Sequence, residues 1–311
     1  MEQVRKFFSN MNDSAILEYG LGVGKPNAPD LAKHIIVVVM DCEKFEFEPR
    51  CLTEYDLNNF ARKEMKAALA NAGPHGENLF EEIYHYHIRL LENAHYVNRK
   101  WCPGNPENNR FGVTRFATMQ QAKEFLTNCI SWPTDETKPD CPKCPVIFLG
   151  HTVEHEIKML RRQLGLDASA TNNVVAVIDT QIITTQKGIY GRGNKIGLAS
   201  LMDKYGVACR DMHTAGNDAA YTTIGALQMV MKEILPTSPS RSLQDVIDDL
   251  EPYSMNVERD MGIPRYCTRC KRERHNRPKC RDRIQRCENC LEKGHEKAAY
   301  THITELCIHP K

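Results

Sequence analysis

The chain has 311 residues, with 41 Lys+Arg against 40 Asp+Glu, 13 cysteines and 12 histidines. At 41% hydrophobic and 26% charged it is long enough to bury a real core, as one large domain with an appendage or as two domains. Its longest apolar run, Ile35–Met40, falls far short of the roughly 20 residues of a membrane helix, and the opening Met1–Phe8 lacks the apolar stretch of a secretory signal.

These features predict an intracellular protein, cytoplasmic or nuclear, with no membrane partner. The net charge of +1 hides an asymmetry: residues 261–311 carry 13 Lys/Arg and 6 Asp/Glu, a net of +7, which leaves −6 for residues 1–260. Six of the 13 cysteines fall in that same basic stretch. In a reducing compartment such a cluster points to metal rather than to disulfides.

In chain order, residues 1–33 read as a flexible lead-in; the Gly20–Lys25 run departs from phosphate-loop spacing and has Pro26 where Ser or Thr is required. His34–Met40 has the β-branched pattern of a strand buried on both faces, and Arg50–Asn58 reads as its antiparallel neighbour. Residues 63–100 read as mostly helical, broken at Gly73-Pro74, with an apolar stripe from Leu79 to Leu91. Met119–Ile130 reads as a helix and Pro133–Pro145 as a loop. Strand and helix then alternate: Val146–Leu149, His151–Leu164, Val174–Ile178, Lys195–Tyr205, and a long helix opened by His213–Asp218 that runs to about Leu235. That alternation predicts an α/β fold. Residues 236–264 read as a linker with one short helix near Leu243–Leu250.

Acidic residues gather where strands end and helices begin. Asp41 and Glu43 are spaced i, i+2 on the first buried strand, so both side chains point to one face. Two such anions in a buried setting are costly unless a cation joins them. Gly150–Leu160 runs from a strand end into a helix with Glu154 and Glu156 in its early turns; Asp179 closes another strand; His213 and Asp218 lie one turn apart near a helix start.

These residues resemble the three motifs of the DEDDh 3′–5′ exonucleases of the RNase H-like fold. Asp41-x-Glu43 matches the first, Gly150-His151-Thr152 through Leu160 the second, and His213-x4-Asp218 the third. The resemblance spans roughly residues 34–235. Arg110–Phe116, followed by a helix and the second motif, also resembles a fungal branch of the superfamily, the Gfd/QIP-like proteins.

The resemblance implies an RNase H-like mixed sheet flanked by helices. It also implies two Mg²⁺ or Mn²⁺ ions held by Asp41, Glu43, Glu156 and Asp218, with His213 as general base, histidine being the side chain that ordinarily titrates near working pH. One residue departs from the pattern. Glu156 stands where the family has aspartate, and its extra methylene moves the carboxylate by about 1.5 Å. Asp179 reads as a structural cap, and His151 and His155 as packing or polar contacts.

In the tail, Cys267-x2-Cys270-x4-His275-x4-Cys280 has the spacing of a CCHC zinc knuckle. Cys287-x2-Cys290-x4-His295 begins a second, closed by Cys307 or alternatively by His302 or His309. Two Zn²⁺ ions are therefore expected in residues 265–311, a segment too short to fold on a hydrophobic core alone. Residues 265–286 carry ten Lys/Arg, including Arg269, Lys271, Arg272, Arg274, Arg277, Lys279, Arg281 and Arg283, against two acidic residues. Such a patch neutralises phosphates, and zinc knuckles engage single-stranded RNA.

Cys141-x2-Cys144 is a lone half-site with Cys102, Cys129, His85, His87 and His95 as candidate partners, while Cys42, Cys51 and Cys209 read as buried small residues. The expected protein is thus an exonuclease-like body (34–235), a linker (236–264) and a zinc-binding tail that holds nucleic acid, RNA favoured over DNA. The rivals are an inactive exonuclease fold serving as an RNA-binding scaffold and a zinc-dependent protein adaptor in a ribonucleoprotein.

Overall fold

Six strands form one mixed sheet in the order β4-β3-β2-β1-β5-β6. They are β1 (Ile36–Lys44), β2 (Leu52–Ala61), β3 (Tyr84–Leu90), β4 (Arg115–Ala117), β5 (Val146–Gly150) and β6 (Val174–Asp179). The computed structural model describes residues 1–257 except 139, 192 and 239. Beyond these it describes 261–265, 267, 270, 272, 273, 275, 279–282, 286–300, 303, 304 and 307. β1, β2 and β3 pair antiparallel, while β5 joins β1, and β6 joins β5, in parallel. This is a mixed sheet of the RNase H-like kind.

β1 is central, so both faces of Ile36–Met40 are covered and the run is continuously apolar, as a strand packed on two sides must be. Val37 and Val39 enter a core with α1 (Glu2–Phe8), α2 (Asp13–Gly20), α3 (Arg62–Ala68) and α4 (Glu77–Phe80). Val38 and Met40 enter the opposite core, with α5 (Met119–Cys129) and α6 (Val153–Gln163). The first core also takes in α7 (Thr180–Gln186), α8 (Leu198–Asp203), α9 (Ala215–Met231) and α10 (Leu243–Asn256). All 17 residues of α9 are buried, which explains why its sequence is apolar or small on every side. The tail carries α11 (Glu288–Glu292) and α12 (Glu296–Ala299).

Several elements differ from the sequence expectation. Residues 1–33 are not a loose lead-in: Val4, Phe8, Leu17 and Tyr19 are buried in the first core. The stripe from Leu79 to Leu91 belongs partly to a strand, because Tyr84, Tyr86, Ile88 and Leu90 alternate with His85, His87 and Arg89 across β3. Polar residues on a buried strand face mimic the helical period, and they are buried here because they meet the polar rows of β2. Within 236–264, α10 has 14 residues and buries Leu243, Val246, Ile247 and Leu250 against the body, while Met261 and Ile263 reach the second core. No helix among the described residues is long and apolar enough to cross a membrane.

Candidate active site

Register builds the site. Asp41 lies opposite Asp56, which lies opposite His87; Glu43 lies opposite Glu54, which lies opposite Arg89. With side chains alternating along each strand, these rows share the face that carries Val37 and Val39 and receives α9. The sheet thus continues its apolar stripe into a buried polar one at the C-terminal end of β1.

Helix starts supply the remaining groups. Glu156 lies in the first turn of α6 and Asp218 in that of α9, and both are buried. Glu43, His213 and Asp218 bring one ligand atom each within 4.8 Å of one another. Asp41 feels the charges of Glu156, Asp218, Glu43 and Asp56, so Asp41 and Glu156 lie within electrostatic reach of that three-residue group. Burial, reinforced by these neighbouring anions, raises Asp41 and Glu43 well above the ordinary carboxylate range. Burial raises Glu156 to about 8, against hydrogen bonds from the Cys42 thiol and backbone N–H that act the other way. Burial likewise raises Asp218 to about 7, although the His213 N–H donates to its Oδ2 at 3.1 Å.

Among the four predicted metal-holding carboxylates, Asp41 Oδ2, Glu156 Oε2 and Asp218 Oδ1 are buried without a hydrogen-bond partner, as are both carboxylate oxygens of the neighbouring Asp56. Mutually repelling buried carboxylates with free oxygens are the donor set that hard divalent cations take, and the residues fit Mg²⁺ or Mn²⁺. Glu154 points away, exposed and paired with Lys158 at 3.0 Å.

Glu54 is a further buried acid beside this cluster that the motifs do not include. Its Oε1 accepts the Ala215 N–H at 2.9 Å, and its Oε2 lies 3.3 Å from His87 Nε2. Burial pushes its carboxyl up, but His87, Arg89 and the Ala215 N–H outweigh this and hold it below its usual range. Glu54 therefore remains an anion that fixes the first turn of α9, and so the approach of His213 and Asp218 to Glu43. The signal was present: Glu54-Tyr55-Asp56 repeats the i, i+2 acidic spacing on the adjoining strand.

His213 is exposed at the mouth, with φ 60°, on a loop where Asp211 also has positive φ (50°). Arg110 Nε donates to Asp211 Oδ2 at 2.7 Å and Arg110 Nη1 to Glu251 Oε2 at 3.2 Å. Arg210 Nη2 donates to the other Glu251 oxygen at 2.7 Å. Helix α10 thereby clamps the His213 loop. Asp179 accepts the Gln181 N–H at 2.8 Å and the Thr152 N–H at 3.1 Å, the structural cap expected of it. His151 Nδ1 lies 2.7 Å from Thr180 Oγ1, and His155 is exposed.

In the tail, Cys267, Cys270, His275 and Cys280 place their ligand atoms within 4.8 Å of one another, the four donors of a zinc site. Cys287, Cys290 and Cys307 form a second group; His295 is not part of it, and His302 and His309 lie outside the described residues. Arg269, Lys271, Arg274, Arg277 and Arg283 also lie outside them, while Arg272, Lys279 and Arg281 are exposed.

Cys141 and Cys144 spend their thiols on their own loop, donating to the Asp135 and Pro133 carbonyls, and no third ligand joins them among the described residues. Cys42, Cys51 and Cys209 are half-buried rather than buried, and Cys42 serves Glu156.

Residues 36–229 match the family model of the DNA polymerase III subunit epsilon-like, C-terminal domain, of the DEDDh type. The uncharacterized nucleolar protein C2C4.08 of Schizosaccharomyces pombe is 24% identical over 200 residues, covering 63% of this chain and 69% of that protein. The zinc-ion-bound form of the E. coli ExoI–ssDNA complex aligns at 10% identity and TM-score 0.36, covering 65% of this chain and 42% of the other. The family model runs from the first residue of β1 nearly to the end of α9, the span that carries every acidic residue of the cluster, and the chain belongs to the DEDDh exonuclease superfamily.

Proposed function

We propose that this protein is a metal-dependent 3′–5′ exonuclease that acts on nucleic acid, RNA in preference to DNA, and holds the strand with its zinc-bound tail. The observation that carries the reading is the convergence of Asp41, Glu43, Glu156 and Asp218 with three buried, unpartnered carboxylate oxygens, beside an exposed histidine. Two Mg²⁺ or Mn²⁺ ions bound by these carboxylates would supply an activated water and stabilise the leaving 3′-oxygen. His213 stands at the open side, where its imidazole accepts the water's proton. Glu54 holds α9 so that His213 and Asp218 face Glu43. The basic residues of 265–286 supply phosphate contacts. The nucleolar designation of the yeast relative supports a nuclear setting. We take 34–235 as the exonuclease-like unit and 265–311 as the zinc module, with residues of α1, α2 and α10 packed onto the former.

Glu156 in place of aspartate favours the second reading, an inactive fold that retains RNA binding. One assay separates the two. With Mn²⁺, the purified chain shortens 5′-labelled single-stranded RNA stepwise from its 3′ end, faster than the matched DNA, and Asp41→Ala abolishes the shortening. Intact RNA in both Mg²⁺ and Mn²⁺, with binding preserved, would establish the inactive fold instead.

A further inference from the structure

Beside the acidic cluster lies a second feature that the chemistry leaves unused. Past Glu43 the chain presents Phe45 and Phe47, and the segment after β3 presents Tyr96 and Trp101. Trp101 is 62% and Phe47 41% exposed, a large apolar area to leave in water. Their rings lie 5.1 Å apart, and Phe45 continues the group to Tyr96 at 4.5 Å. Lys100 Nζ stands 4.9 Å from the Trp101 ring centroid and 6.0 Å from that of Phe47.

The Trp101 loop is built rather than loose. Glu46 accepts three successive backbone N–H groups, from Arg99, Lys100 and Trp101, at 2.8–2.9 Å. Asn98 donates to the Lys44 carbonyl at 2.7 Å and accepts the Glu46 N–H at 2.8 Å. At its far end, Gly104 is pressed against His213: a Cβ there would lie 2.4 Å from the His213 carbonyl oxygen. One small pocket is lined by Glu43, His213, Tyr96 and Asn98 together. The exposed indole is thus fixed to the strand bearing Glu43 on one side and to the histidine loop on the other.

We propose that Phe47 and Trp101, with Lys100, form a stacking platform for the bases of a single-stranded nucleic acid near its reacting end. The inference rests on the nucleic-acid substrate proposed above. Aromatic faces accept any base, and the adjoining Lys100 and Arg99 match the phosphates between bases, which an uncharged apolar partner would leave unsatisfied. The platform therefore gives affinity without sequence preference, and the zinc tail borders it, because residues 294–298 line a pocket together with Phe45, Tyr96 and Arg99.

The test uses the full chain in Ca²⁺ in place of Mg²⁺ or Mn²⁺. Of the chain's two tryptophans, Trp132 is replaced (Trp132→Phe) so that Trp101 alone reports. A ten-nucleotide oligoadenylate should quench the Trp101 emission, and an abasic ten-mer of equal charge should not. In the parent chain, Trp101→Ala should weaken oligoadenylate binding about ten-fold, and Trp101→Leu nearly as much, while abasic binding stays unchanged. Equal affinity for the two oligomers, absence of binding by both, or full affinity in Trp101→Leu would overturn the platform, and the last would mark the patch as a surface for a protein's apolar side chains. Base-dependent quenching without hydrolysis in Mn²⁺ upholds the platform while removing the exonuclease reading; hydrolysis without base-dependent quenching removes the platform alone.

Discussion

At the residue scale the decisive position is Glu156. Its longer side chain is accommodated because the thiol and N–H of Cys42, on β1 between Asp41 and Glu43, hydrogen-bond to its carboxylate. Glu156→Gln keeps the size and removes the charge, so Mn²⁺-dependent hydrolysis should fall by at least about 100-fold. Glu156→Asp should stay within about ten-fold of the parent, and comparable turnover in Glu156→Gln would show that this carboxylate holds no ion.

The pH response follows from the same burial. Glu156 at about 8 and Asp218 at about 7 lie above their unfolded values near 4, so the native state binds more protons than the unfolded chain between these limits. The stability these groups contribute is complete below about pH 4 and is lost as pH rises through 7 to 8. Cations displace those protons, so the Tm increment from Mn²⁺ should be larger at pH 8 than at pH 6; an equal or smaller increment would contradict a carboxylate-bound ion. The acids of the candidate site were legible because each motif is local in sequence. Glu54 was not singled out, because its role depends on which residue of β1 it faces and on the Ala215 N–H, 161 residues away.

Elements were legible where one physical preference dominates. The β-branched run of β1 and the alternation from β5 onward leave little choice of structure, and α9 follows the His213-x4-Asp218 motif as a long, mostly apolar helix. β3 escapes because His85, His87 and Arg89 occupy a buried face, where Glu54 meets His87 and Arg89 and Thr114 meets His87. α10 is legible as a helix, yet its task is not, because the task is a clamp made across 141 residues, from Arg110 to Glu251. Glu251 is shared by two guanidinium groups while its side chain is only 12% exposed. Glu251→Ala should cost about 1–3 kcal/mol, a Tm loss of several degrees. It should also release the strained turns at Asp211 and His213, so turnover should drop about ten-fold or more while oligonucleotide affinity holds. Unchanged turnover at reduced Tm would make α10 a packing element only.

On the scale of the whole molecule, the charge partition is the organising feature: a net −6 over residues 1–260 and a net +7 over residues 261–311. The tail contributes little apolar core of its own, with Cys287, Cys290 and Ala299 as its only buried cluster among the described residues, and its two Cys/His groups could hold the metal that stabilises so small a fold. Cys270 and His275 already approach to 3.3 Å, the placement of neighbouring ligands in a tetrahedral site.

Cys270→Ser should therefore release one zinc equivalent, read by a chromogenic chelator, while the thermal transition of the body stays within about a degree. RNA affinity should fall, and so should its dependence on salt. Each phosphate contact to a single strand contributes about 0.7 to the slope of log K against log[salt], so losing several of the ten basic residues should flatten that slope by two or more. Hydrolysis of short oligonucleotides should persist, since the acidic cluster and the Trp101 loop lie wholly within the body. Loss of zinc with an unchanged salt slope would mean that the tail's positive charge faces something other than the strand, and the adaptor reading would then take its place.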